Sequence, residues 1–242
     1  MQSWGITDVG CVRQQNQDAF RMDSLDKNTL LCVVCDGVGG AQSGNIASTL
    51  ASDVMTQELR ATWRNGMDRV EVGECMRKAM KLANFTVCDQ AKEVPEFHGM
   101  ATTMVAAVLQ PDRVTVLNVG DSRAYYITNS GIRQITVDHS LVQMMLSRGE
   151  LTEEEAKDFP EKNVITRAIG MEPAVLCDLF HLEVKKDDCI LLCSDGLSNL
   201  LDEQEILFEI VHGQLDSCCQ RLLAIAKDRG APDNVTCVLA QV

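Results

Sequence analysis

Apolar residues along this chain follow two rhythms. Short, nearly unbroken runs such as Leu30-Leu31-Cys32-Val33-Val34-Cys35 and Ile190-Leu191-Leu192-Cys193 predict buried strands. These runs extend the predicted strands over 29–36 and 188–194. Further strands are expected at 3–10, 17–23, 101–109, 113–120, 122–128, 131–135, 177–184 and 234–241. Pro111-Asp112 and Asn129-Ser130-Gly131 supply turn signals between neighbours. Over 42–60 the rhythm changes, and Ala47, Leu50, Ala51, Val54, Met55 and Leu59 recur at helical spacing. Helices are also predicted over 69–93, over the glutamate-rich stretch 139–159 with Gly149 as a break, and over 202–211 and 215–228. Strands that follow one another through short turns imply antiparallel sheets, and paired long helices imply helical outer layers. With no linker, repeat or low-complexity tract in 242 residues, the expectation is one α+β domain over 1–242, built in four layers.

Twice an apolar run stops at Asp-Gly, at Asp36-Gly37 and at Asp195-Gly196. Each reads as a buried strand that delivers a carboxylate at its end and then turns on glycine. Three more aspartates occupy similar positions: Asp18 in Asn16-Gln17-Asp18-Ala19-Phe20, Asp121 in Val119-Gly120-Asp121-Ser122-Arg123, and Asp233 in Pro232-Asp233-Asn234-Val235. Taken singly, each is most often a turn or cap residue. Taken jointly, several carboxylates at strand ends repel one another unless divalent cations sit between them. An all-oxygen ligand set, with no His or Cys in these motifs, points to Mg²⁺ or Mn²⁺ rather than zinc. The glycines beside Asp36 let the backbone come close, so the carbonyl of Gly37 is itself a candidate ligand.

Composition narrows the partners. The formal net charge is -13, which argues against nucleic acid, since binding a phosphate backbone needs a basic face. It does not argue against a phosphorylated substrate if cations supply the local positive charge. No apolar run approaches the ~20 residues of a membrane span. The start, Met1-Gln2-Ser3-Trp4-Gly5, lacks the basic and apolar segments of a signal peptide. Eleven cysteines, an odd number, with several inside apolar runs, read as reduced core residues of a cytoplasmic protein. Cys32 and Cys35 have CxxC spacing, but on a strand their side chains face opposite ways, and no second pair exists to complete a zinc set.

The ordered motifs resemble the metal-dependent serine/threonine protein phosphatases of type 2C, in their compact bacterial form. They run through nearly the whole chain: Thr7-Asp8-Val9-Gly10 with Arg13 and Asn16-Gln17-Asp18; Asp36-Gly37-Val38-Gly39-Gly40; Ala101-Thr102-Thr103; Val119-Gly120-Asp121-Ser122-Arg123; Asp138-His139-Ser140; Asn163-Val164-Ile165-Thr166-Arg167; Ser194-Asp195-Gly196; and Asp233-Asn234-Val235-Thr236. The resemblance implies two antiparallel sheets packed face to face between helical layers. It also implies roles. Asp36 would bridge two ions, with the Gly37 carbonyl on one and Asp195 and Asp233 on the other. Asp18 would hold metal-bound water or ligate directly. Asp121 with Asp195 would bind a third, weaker ion, and Arg13 would grip the substrate phosphate. The implied reaction is hydrolysis of phosphoserine or phosphothreonine by in-line attack of a hydroxide bridging two Mn²⁺ or Mg²⁺ ions. The implied partners are phosphorylated proteins and an opposing serine/threonine kinase, with no nucleic acid and no membrane, and the chain is expected to be a monomer. A catalytically weak regulatory or binding domain on the same fold is the alternative.

Four departures bear on the chemistry. Val38 and Ala41 stand where relatives often carry histidine, Ala101 replaces a usual glycine, and Phe159-Pro160 replaces a common His-Pro. No side chain is then an evident acid for the leaving oxygen, and water on the third ion near Asp121 is the preferred substitute. His139 reads as a structural residue capping the helix that follows. The charged stretch 143–166 corresponds to the family's flap beside the active site, expected to gate substrates. Met144 and Met145 read as core filler.

Overall fold

The computed structural model describes residues 1–38, 43–157, 159–161 and 163–242. In chain order the elements are β1 Gln2–Asp8, β2 Asp18–Asp26, β3 Thr29–Val38, α1 Gly44–Thr62, α2 Arg69–Glu93, β4 Ala101–Thr102, β5 Met104–Gln110, β6 Arg113–Val119, β7 Arg123–Thr128 and β8 Gly131–Gln134. Then come α3 Leu141–Ser147, α4 Glu153–Lys157, β9 Asp178–Glu183, β10 Cys189–Cys193, α5 Asp195–Ser198, α6 Glu203–His212, α7 Cys218–Asp228 and β11 Val235–Gln241. One sheet runs β1-β11-β10-β7-β8 and the other β2-β3-β5-β6-β9, with β4 pairing the end of β3. The named pairings are antiparallel throughout. The predicted α+β architecture of two face-to-face sheets between helical layers is what the chain adopts.

Strand alternation sorts the apolar side chains into three cores. Val34, Val105, Ala107 and Val116 from one sheet meet Ala124, Ile190, Leu192 and Val238 from the other in the central layer. The opposite face of the second sheet packs Leu31, Val33, Ala106 and Leu117 under α1 and α2. The outer face of the first sheet packs Leu191, Cys193 and Leu239 under α5, α6 and α7. Cys32 falls in the central core and Cys35 in the outer one, as period-two geometry requires. All eleven cysteines are unpaired, and eight are buried. Each fully buried Leu or Val removes enough apolar surface to contribute roughly 1.5–3 kcal/mol.

Capping fixes where two of these helices start. Asp68 accepts from the Val70 and Glu71 amides while the Glu71 carboxylate accepts from the Asp68 amide. Asp202 and Glu205 repeat that reciprocal pair at α6. Among the described residues no helix is long and apolar enough to cross a membrane.

Four sequence expectations need correction. First, Asp36-Gly37 is not a turn: β3 runs through both residues to Val38, and the paired β4 holds this extension straight. Second, Asp195-Gly196 opens the short helix α5, so this Asp-Gly begins a helix rather than a turn. Third, the strand expected over 101–109 is two strands, interrupted at Thr103, whose backbone is diverted to serve Asp36. Fourth, Met144 and Met145 are half-buried on α3 rather than in the core: this short helix, next to the charged α4, buries none of its residues fully. The departure at Ala41 lies outside the described residues.

Candidate active site

Every segment carrying a candidate aspartate reaches the same end of the double sheet. Antiparallel pairing sets Asp18, at the start of β2, directly opposite Asp36 near the end of β3. It likewise brings the end of β10 beside the starts of β7 and β11. The result is a cleft of about 280 Å³ lined by Arg13, Asp36, Gly37, Asp121, Asp195 and Asp233 among others. Asp18 is the one predicted site residue that does not line the cleft. It lies buried behind it, accepting 2.8 Å from the Ser194 hydroxyl.

The backbone around Asp36 is clamped. Its amide donates to the Thr103 hydroxyl at 2.9 Å, and its carbonyl accepts from the Thr103 amide and the Thr102 hydroxyl, each at 2.8 Å. The Thr103 hydroxyl in turn pairs with Ser122 at 2.7 Å. Gly37 is required by close approach, since a Cβ there would stand 2.2 Å from the Gly44 carbonyl oxygen at the start of α1. Gly120 is required twice over: its φ is +109°, and a Cβ would stand 2.6 Å from Thr103 Cγ2.

His139 does not cap α3; the Ser140 hydroxyl does, accepting from the Gln143 amide. His139 instead bolts the Asp121 loop. Its Nδ1 accepts from the Gly120 amide at 3.0 Å, and its own amide donates to the Gly120 carbonyl at 2.9 Å. With Nδ1 accepting, the neutral ring carries its proton on Nε2, which faces Asp178 at 3.1 Å. Burial holds this imidazole below its ordinary pKa.

Electrostatics in the cleft are those of crowded anions. Burial, followed by the charges of Asp195 and Asp233, pushes Asp18 up to about 6. Burial and then Asp195 and Asp138 push Asp121 up to about 7. Asp36 is driven well above the carboxylate range by burial and by Asp18, Asp195, Asp121 and Asp233. Asp195 is raised by burial and by Asp233. Arg13 answers part of this charge, donating to Asp233 at 2.8 Å from a largely exposed position. That pair engages Nη2, and among the described residues no other acceptor is bonded to the guanidinium.

This surplus of negative charge fits cations. The Asp18 Oδ1 atom is buried with no hydrogen-bond partner among the described residues, an orphaned acceptor of the kind a cation or its water satisfies. The donors are carboxylates and carbonyls, suited to Mg²⁺ or Mn²⁺. Among the described residues no three His, Cys, Asp or Glu side chains stand as a ready-made cage. Mg²⁺ does not demand one, because it is commonly held by one or two carboxylates and completes its shell with water.

Several residues that build the cleft escaped the sequence reading as site residues. Asn234 accepts from the Gln17 amide at 2.8 Å and donates to the Val9 and Gln15 carbonyls at 3.0 Å each, tying down the loop that carries Arg13. Ser194 donates to Asp18 and accepts from the Thr236 amide. Their signal was adjacency: each precedes or follows a predicted aspartate.

Two antiparallel sheets between helical layers, with aspartates gathered at one end, define an αββα sandwich carrying an acidic, cation-seeking cleft. A family model described as Protein phosphatase 2C matches residues 12–240. The chain belongs to the protein phosphatase 2C family. It is 34% identical over 237 residues to the serine/threonine phosphatase stp of Listeria monocytogenes, spanning 97% of this chain and 93% of that one. It is 32% identical over 242 residues to the serine/threonine protein phosphatase PstP of Mycobacterium tuberculosis, spanning 98% of this chain but 44% of that longer protein. The crystal structure of serine/threonine phosphatase Stp1 from Staphylococcus aureus superposes with a TM-score of 0.93 at 35% identity, covering 100% of this chain and 94% of that one.

Proposed function

We propose that this chain removes phosphate from phosphoserine and phosphothreonine in proteins, as one domain, opposite a serine/threonine kinase. The observation that carries the reading is the convergence of Arg13, Asp36, Gly37, Asp121, Asp195 and Asp233 on one cleft from five separate stretches of sequence. Two Mn²⁺ or Mg²⁺ ions would be held by Asp36, the Gly37 carbonyl, Asp195 and Asp233, and a third by Asp121 with Asp195. When bound, such ions activate water as a nucleophile at neutral pH and neutralise the phosphoryl oxygens.

The chain's own residues do the rest. The remaining donors of Arg13 hold two oxygens of the phosphate and align it with the carboxylates, as a planar guanidinium does best. The Thr102–Thr103 clamp fixes the Asp36 peptide, so its carboxylate does not have to reorganise as charge develops. Asp18, behind the cleft, fixes water through its unpartnered oxygen. Val38 lines the cleft where relatives often carry histidine. Asp121 therefore orients the water that protonates the leaving oxygen, and no side chain acts as nucleophile.

The test is hydrolysis of p-nitrophenyl phosphate and a phosphothreonine peptide with Mn²⁺ and with excess EDTA. Activity is expected only with the metal; turnover that persists in EDTA sinks the mechanism. Asp36→Asn is expected to abolish turnover, and a rate within a few-fold of wild type would show that Asp36 is not the shared ligand.

A further inference from the structure

A second cavity, of about 430 Å³, opens beside the catalytic cleft. Asn163 lines both, so the two adjoin at that residue. Its walls come from α3, α4 and α5. Val142 and Leu146, four residues apart on α3, and Ala156 on α4 give it an apolar flank. Glu153, on the same face of α4 as Ala156, brings a carboxylate to it.

The other charges in its wall cancel. Arg123 donates to Asp138 three times, at 3.1, 3.0 and 2.7 Å. Among the described residues no cation pairs with Glu153, whereas the neighbouring Glu155 closes a local capping bond with Thr152. The Ser198 hydroxyl, also in the wall, is shielded from solvent without a hydrogen-bond partner. The cavity thus offers an apolar flank and a carboxylate with no cationic partner among the described residues. That combination suits a side chain with a long aliphatic stem and a cationic head. The net charge of -13 favours the same sign of visitor.

We propose that this cavity is a substrate subsite that accepts a lysine or arginine lying close in sequence to the phosphorylated residue, with Glu153 as the specificity-determining carboxylate. The inference rests on the phosphatase reading above. With the phosphate in the cleft, the chain of the phosphoprotein passes Asn163 and delivers its basic side chain between α3 and α4. The stem covers Val142 and Leu146 while the head meets Glu153.

The experiment uses the full chain with Mn²⁺ and a set of phosphothreonine peptides. In each peptide one arginine replaces alanine at one of the three positions on either side of the phosphothreonine. One position is expected to raise kcat/KM about fivefold over the all-alanine peptide, the size of a partly exposed ion pair. The gain is expected mainly in KM. Glu153→Gln should flatten that preference to within about twofold and Glu153→Lys should reverse it, while Glu154→Gln, one residue away and outside the cavity wall, should keep it. Equal kcat/KM for all peptides overturns the subsite, as does a preference that survives Glu153→Gln or vanishes equally in Glu154→Gln. Failure to hydrolyse any peptide or p-nitrophenyl phosphate overturns the phosphatase reading, and this inference with it.

Discussion

Asp121→Asn should stabilise this protein when metal is withheld. Burial and the charges of Asp195 and Asp138 raise the Asp121 carboxyl from its ordinary 3.8 to about 7. A carboxyl raised in the folded state folds most favourably in its protonated form. Its cost is therefore absent below pH 3.8, grows as pH rises towards 7, and is complete above that. At about 1.36 kcal/mol for each pH unit, that interval corresponds to about 4 kcal/mol. Water at the open side of the cleft screens part of it, which leaves about 2 kcal/mol as the working figure. Asparagine keeps the shape and removes the charge. Urea denaturation in EDTA at pH 8 should then show the variant more stable by about 2 kcal/mol, and at pH 4 the two proteins should coincide. With saturating Mn²⁺ at pH 8 the order should narrow or invert, because wild type gains more from the ions it binds. A variant less stable than wild type at pH 8 in EDTA, or a gain equal at both pH values, would refute the charge-crowding account of the cleft.

Other consequences are smaller in scope. Asn234→Ala strands three backbone groups, so it should cost about 2–3 kcal/mol in chemical denaturation; it should also lower kcat/KM by loosening the Arg13 loop, and an unchanged kcat/KM would detach that loop from catalysis. His139 is held below its ordinary 6.5, so the stability it contributes is present above pH 6.5 and is lost as pH falls through its folded value. His139→Asn, which keeps an acceptor for the Gly120 amide, should show a shallower loss of stability between pH 6.5 and 4.5, and identical slopes would count against the neutral ring. Gly120→Ala should cost more than about 2 kcal/mol, read by thermal unfolding, because it combines a disfavoured φ with a clash against Thr103.

The order of strands and helices was legible because their periods are strong: the α1 and α2 stretches and the runs into Asp36 and Asp195 show it best. What misled was reading Asp-Gly as a turn. Glycine is also what close backbone approach demands, and Gly37 is needed inside a strand because the start of α1 presses on it. The clustering of the aspartates was legible from the repeated motif of an apolar run ended by a carboxylate. The supports were not. Nothing local to Thr103 announces that it serves Asp36, 67 residues away, nor does Asn234 announce its bond to Gln17, 217 residues away. Such partnerships belong to the folded topology and leave no periodic trace. The bolt from His139 to Gly120 was missed for the same reason, while the cap predicted for it fell to the adjacent Ser140.

The strand order also sets a timetable. β1 pairs only with β11, from Gln2 opposite Gln241 to Asp8 opposite Val235. During synthesis, then, β1 has no strand-pairing partner among the described residues until the segment 235–241 has emerged. The Arg13 loop likewise lacks Asn234 until that moment. Closing so long a loop is slow, because its entropy is lost before any contact rewards it. The second sheet, whose strands all lie within 18–183, has its neighbours long before then. Assembly of the cleft should therefore be the last event of folding. A permuted chain with 242 joined to 1 and opened at the turn near 130 would make that pairing local and bring it forward.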